Sequence, residues 1–174
     1  MPTSFHSRPQ EILLPVKPAL VAFTLALALL LNLLPLTGFA RWLRPDFVAL
    51  ALLYWTLQQP HRFGMALAFA LGLVMDVAVG TLFGQHALAY SLLAFAGFML
   101  HRRLRMFGLL EQLWQVLPLL LATQLVLALV SLARGAAFPG WQYFLGGAVG
   151  GLLWPLISAL LRLPRLPKSD PDQV

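Results

Sequence analysis

Residues 63–83 read FGMALAFALGLVMDVAVGTLF, an apolar run interrupted by a single charge, Asp76. About 20 apolar residues in a helix cross the ~30 Å hydrocarbon core of a bilayer. The run does not alternate apolar and polar side chains with period two, which argues against an outer-membrane barrel strand. Similar runs fall at about 18–36, 46–59, 86–100, 113–133 and 141–161. They predict an all-α polytopic membrane protein: a bundle of six transmembrane helices forming one membrane domain over 1–174. Composition agrees. The 174 residues are 60% hydrophobic and 10% charged, with a mean hydropathy of +0.81. Ordinary soluble domains carry about 25% charged residues. A free soluble enzyme, a disordered chain and a secreted disulfide scaffold are excluded. Cysteine is absent, which also removes disulfides, zinc–thiolate sites and iron–sulfur clusters.

The 46–59 run is short, because the apolar part covers only about 17 Å as a helix. It is expected either to reach back through residues 39–43 or to lie partly re-entrant, and Pro45 disfavours a continuous helix through Arg44. Arg44, Pro45 and Asp46 therefore shape the start of this helix. Asp46 can accept the unpaired N–H groups there, favoured by the helix dipole. The first run reads as an uncleaved span rather than a signal peptide. The tail 164–174 holds three prolines and reads as a mobile cytoplasmic end.

The net charge of +6 is explained by topology. With the N-terminus inside, the inner segments hold Arg8, Lys17, Arg62, Arg102, Arg103, Arg105, Arg162, Arg165 and Lys168. The outer loops hold Arg41, Arg44 and Arg134. That asymmetry puts both termini in the cytoplasm, and no nucleic acid partner is needed. The basic stretch 101–107 reads as a loop that anchors by the positive-inside rule, with contact to anionic lipid or a cytoplasmic partner as the alternative.

Asp76 costs roughly 2.5–3.5 kcal/mol to insert, so it should face protein or trapped water. Counting rises from the inner end of each run puts Asp76 and Asn32 about 20 Å up, and Gln124 with Thr123 about 15–17 Å up. One polar layer joining Asn32, Asp76 and Gln124 is the expectation. It is either a structural node holding three helices or a proton relay or substrate contact. Gly64, Ala68, Gly72, Asp76, Gly80 and Gly84 recur every four residues, and Gly146/Gly150 with Gly147/Gly151 form overlapping pairs just before Trp154-Pro155. Small residues let helices approach closely in lipid, within one bundle or against a partner's helix. Pro118 and Pro155 are expected to kink their helices. The four histidines lack helical ligand spacing, so no metal site is predicted, and no cofactor. There is no HExxH, nucleophile elbow or phosphate loop, nor a second carboxylate within a span, so an enzyme is not the reading.

The segments Arg44-Pro45-Asp46-Phe47-Val48, Leu53-Tyr54-Trp55, Gln59-Pro60-His61-Arg62, Gly72-Leu73-Val74-Met75-Asp76 and Gly80-Thr81-Leu82-Phe83-Gly84, with Gly151-Leu152-Leu153-Trp154-Pro155 late in the chain, resemble the rod shape-determining protein MreD family. The resemblance implies a multi-pass protein of the bacterial inner membrane, in the elongation complex that inserts peptidoglycan along the side wall. It implies MreC as partner, with the MreB filament, RodA and a class B penicillin-binding transpeptidase. It also implies a bundle similar to the substrate-binding subunits of energy-coupling-factor vitamin transporters. The resulting expectation is a non-catalytic scaffold with Gly72, Asp76, Gly80 and Gly84 as its structural node. The alternative is a small-molecule-binding membrane subunit of a transporter. That reading needs a polar pocket open to the outside, lined near Gln85-His86 and Trp141-Gln142.

Overall fold

The computed structural model describes residues 17–59 and 64–165. Its secondary structure is helical, with no strand among the described residues. α1 (Pro18–Asn32) starts with proline in the first turn, where the missing N–H costs nothing. It stops four residues before the end of the predicted run, because Pro35 disfavours the helical region for the residue before it. α2 (Phe39–Leu43) is one short turn behind Gly38. Arg44-Pro45-Asp46 separate it from α3 (Phe47–Gln58), so the helix does not run back continuously through Arg44.

α3 is the centre of the molecule. Every residue from Val48 to Leu57 is buried. Its length of about 18 Å falls short of the hydrocarbon core. A helix wrapped by protein has its ends covered by neighbours, so that shortness is tolerated. Trp55 Nε1 donates to Thr24 Oγ1 at 2.9 Å and ties α3 to α1.

α4 (Met65–Val79) and α5 (Gln85–Met106) form a tightly packed hairpin. α5 corrects the reading of 101–107 as a loop, since it stays helical through Met106. Arg103 and Arg105 lie in its last turn, where cations are favoured by the helix dipole. Arg105 Nη2 also donates to the Gln58 carbonyl at the end of α3, at 3.2 Å. α6 (Leu109–Ala133) begins four residues before the predicted run, where the Gly108 N–H donates to Glu111 Oε2 at 3.1 Å. A 3-10 turn, Trp141–Phe144, leads into α7 (Leu145–Arg162), and a second, Leu163–Arg165, follows. α6 and α7 remain helical through Pro118 and Pro155.

α5 packs on α3, α4 and α6, while α1 lies on α3 and α7 on α6. Inside, Trp154 Nε1 donates to Gln112 Oε1 at 3.1 Å, and Gln112 Nε2 donates to the Leu104 and Phe107 carbonyls at 2.9 and 3.2 Å. The outer surface is apolar: Phe23 and Leu30 on α1, Val77 on α4, Leu129 on α6 and Leu156 on α7 are all exposed. So extended an apolar surface suits lipid and not water. Two helical segments, Leu109–Ala133 and Trp141–Arg162, are long and apolar enough to cross a membrane, and α1 and α4 are shorter apolar helices. The expected features at Arg8, at Pro60-His61-Arg62-Phe63, and in the tail beyond Arg165, Lys168 included, lie outside the described residues.

Candidate functional site

Asp76 lies three residues from the end of α4, facing the first turn of α5. Four N–H groups at a helix start have no partner within the helix and attract an anion. Asp76 supplies one. Its Oδ1 accepts the His86 N–H at 2.8 Å, the His86 ring Nδ1 at 2.8 Å and the Thr81 hydroxyl at 3.0 Å; its Oδ2 accepts the Gly84 N–H at 2.8 Å. Hydrogen bonds to a charged group contribute about 1.5–3 kcal/mol each. Several of them outweigh an insertion cost of roughly 2.5–3.5 kcal/mol.

This geometry decides what the local chemistry can be. Asp76 and Thr81 both approach the same ring nitrogen of His86, Nδ1, with Thr81 Oγ1 at 3.2 Å. A nucleophile–base–acid relay needs the acid and the hydroxyl on opposite nitrogens. The cluster therefore locks a hairpin and has the wrong order for nucleophilic catalysis. The pairing of His86 with Asp76 was missed in the sequence, which places His86 only near a pocket, because the contact crosses a turn rather than a helix face. The available signal was the pair of glycines, Gly80 and Gly84, that marks the turn.

Asn32 and Gln124 do not join Asp76, which corrects the single polar layer. Asn32 Nδ2 donates to Asp46 Oδ1 at 2.8 Å, and its own Oδ1 accepts the Phe47 N–H at 2.9 Å. Asp46 also accepts the Ala49 N–H at 3.0 Å and the buried Tyr90 hydroxyl at 2.7 Å. This second cluster binds α1, α3 and α5. Gln124 forms a third, between α6 and α7: Nε2 donates to the Tyr143 carbonyl at 3.2 Å and Oε1 accepts the Gly147 N–H at 3.1 Å. Depth counting misled because α4 stops at Val79, four residues before the apolar run ends, which left Asp76 nearer a helix end than expected.

The glycine series divides by physical role. At Gly72 a Cβ would overlap the backbone of Ala87 and His86, so this glycine sets the closest approach of α4 to α5. Gly80 (φ 70°) and Gly84 (φ 101°) would meet open space and are needed for their left-handed turn conformations. On α7, Gly147 and Gly151 pack on Gln124 and Leu117 of α6, while Gly146 and Gly150 pack against Arg44 and Pro45. This corrects the idea of a partner helix on that face, because the chain itself fills it. Trp154 is buried and Pro155 half-buried.

The end of the bundle that carries Asn32, Asp46 and His86 also encloses a cavity of about 420 Å³. Arg41, Arg44, Gln85, His86, Gln124 and Tyr143 stand in its wall. Gln85 and His86 are where the small-molecule reading needs them; Trp141 and Gln142 are exposed and are not part of the wall. Among the described residues no group of three metal-ligating side chains occurs.

Helices joined by polar clusters at their ends, with apolar outer faces and no catalytic arrangement in those clusters, define a helical membrane protein. Residues 16–163 match the family model of the rod shape-determining protein MreD. The chain is also similar to the rod shape-determining protein MreD of Haemophilus influenzae, at 33% identity over 136 residues, which cover 78% of this chain and 84% of that protein. The chain belongs to the MreD family of rod shape-determining proteins. No solved structure matches it, so the expected likeness to vitamin-transporter subunits gains no support.

Proposed function

We propose that this protein is a non-catalytic scaffold of the cell-elongation complex, spanning the bacterial inner membrane six times with both termini in the cytoplasm. It supports rod shape and side-wall peptidoglycan synthesis by holding MreC. RodA, a class B penicillin-binding transpeptidase and the MreB filament complete the assembly. Family membership supports the role in shape. The observation that carries the scaffold reading is the two-sided character of α7. Its glycine face is consumed by α6 and the Arg44-Pro45 segment, while Leu152, Leu156 and Leu160 form an exposed line on the other side. Residues four apart share a helix face, so this line offers a continuous apolar stripe to another single helix in lipid.

The chain has no cysteine, which makes position-specific cross-linking clean. Single cysteines at Leu152, Leu156 and Leu160, and at Phe23 and Leu30 on α1, are expected to cross-link to MreC along one of the two faces. Loss of rod shape should follow when that face is replaced by bulky polar side chains. If no position on either face captures MreC, and cells lacking the protein keep their rod shape, the scaffold reading fails. The small-molecule reading is favoured by one observation, the cavity with Arg41, Arg44, Gln85 and His86 in its wall.

A further inference from the structure

We propose that the cavity beside α2 binds a phosphate ester that also carries a hydrogen-bond donor, the chemistry of a phosphoglycerol headgroup. The inference rests on the membrane reading of the apolar helices and is independent of MreC and of any scaffold role.

Three observations converge on it. The first is unpaired positive charge. Arg41 and Arg44 stand in the wall, and among the described residues neither has a carboxylate within ion-pair distance. Arg41 rests on the Trp42 ring, 5.9 Å from its centroid. Arg44 gives Nη1 to the Leu34 carbonyl at 2.9 Å and keeps its remaining donors. Guanidinium groups match phosphate oxygens by paired N–H donors.

The second is an unused acceptor. Gln85 is 94% buried, being 6% exposed. Its Nε2 donates to the Leu127 carbonyl at 3.1 Å and to Ser131 Oγ at 2.9 Å. A carbonyl can only accept, so the orientation of the amide is fixed. Gln85 Oε1 is left buried without a partner, in a side chain that lines the cavity. Buried polar atoms normally find partners, and this one needs a donor. Oε1 is covered in this conformation, so a ligand hydroxyl would meet it once the Gln85 side chain turns toward the cavity, a contact a bare anion has no proton to make. An apolar molecule would satisfy neither the arginines nor Gln85.

The third observation concerns shape. A second recess of about 270 Å³ shares Asn32, Arg41, Arg44 and Val79 with the cavity and is otherwise walled by Leu33, Leu34, Pro35, Leu36 and Ala78. The cavity, whose wall mixes polar and apolar side chains, and a recess completed by aliphatic residues meet at the two arginines. That is the outline of an amphiphile with its phosphate at the junction, and it favours a lipid headgroup over a soluble ester.

The test uses the full chain in phosphatidylcholine nanodiscs. Phosphatidylglycerol is titrated in one arm and glycerol phosphate in the other, with bound ligand read by native mass spectrometry. Saturable binding of phosphatidylglycerol is expected. It should weaken about tenfold or more in Arg41→Glu, since charge-assisted bonds are lost and repulsion replaces them. Arg41 is exposed and α2 is short, so this substitution leaves the core untouched. Arg134→Glu, an exposed position outside the cavity wall, should bind like the parent chain. Saturable binding of glycerol phosphate alone, abolished by Arg41→Glu, supports the phosphate site and assigns it to a soluble ester. No saturable binding in either arm, or equal weakening by Arg41→Glu and Arg134→Glu, overturns the proposal.

Discussion

Replacing Asp76 with Leu removes the carboxylate that gathers the turn before α5 and the first turn of that helix. The Gly84 and His86 N–H groups lose their carboxylate partner at once, and the Thr81 hydroxyl and the His86 ring keep only each other. Leaving a buried donor unpaired costs about 1–3 kcal/mol, so Asp76→Leu should sharply lower membrane abundance and thermal stability in detergent. Asp76→Asn keeps one acceptor oxygen and should fall between. Normal abundance of Asp76→Leu would show that the hairpin does not depend on this carboxylate. A paired test separates packing from conformation among the glycines. Gly72→Ala drives a methyl into the Ala87 backbone, whereas Gly64→Ala meets open space at an ordinary φ of −85°. Gly72→Ala should lose several degrees of melting temperature and Gly64→Ala almost none, read by thermal unfolding in micelles. That Asp76 is special was legible in the sequence, because a lone charge in an apolar run demands partners. The partners themselves were hidden. They lie five to ten residues onward, across a turn whose geometry depends on two positive-φ glycines rather than on helical spacing.

α3 shows how much one cap can carry. Asp46 accepts the Ala49 N–H within its own helix, and at the same time the Asn32 amide from α1 and the Tyr90 hydroxyl from α5. Loss of a helix cap costs about 0.5–2 kcal/mol. Here two further buried or half-buried donors would be stranded, at about 1–3 kcal/mol each for full burial. Asp46→Ala should therefore destabilise the bundle more than an isolated cap does, and removing Tyr90 together with Asp46 should cost less than the sum of the single changes. Comparing melting temperatures of Asp46→Ala, Tyr90→Phe and the double variant tests this, and strictly additive losses would count against a shared network. The helix start was readable from Pro45-Asp46, where proline stops one helix and aspartate begins another. The central position of α3 was not. Its residues are apolar on all sides, and hydropathy alone does not separate a helix ringed by protein from one ringed by lipid. The extension of α5 through its basic end was missed for the opposite reason. Apolar counting stops at the first arginine, while the backbone continues because those arginines suit a helix C-terminus and one of them holds the end of α3.

Across the whole molecule the hydrogen bonds fix which helix ends lie together, and this gives the charge count a geometry. The Asn32–Asp46 bond brings the end of α1 to the start of α3, and Gln85 Nε2 brings the start of α5 to the end of α6. Arg41, Arg44 and Arg134 belong to this end of the bundle. At the opposite end Arg105 reaches Gln58, and Gln112 joins the last turn of α5 to α6 and Trp154. Lys17, Arg102, Arg103 and Arg162 belong there. Cations are retained on the cytoplasmic side during insertion, so the Arg105 end should face the cytoplasm and the cavity should open outward. With no native cysteine, two single-cysteine variants decide the matter. Ala136→Cys lies in the exposed segment by the cavity, and Met106→Cys lies at the exposed end of α5. In intact spheroplasts a membrane-impermeant maleimide should label Ala136→Cys and spare Met106→Cys until the membrane is opened. The reverse pattern would turn the bundle over. It would move the phosphate-binding chamber to the cytoplasmic leaflet, and any headgroup it holds would then be drawn from the inner monolayer.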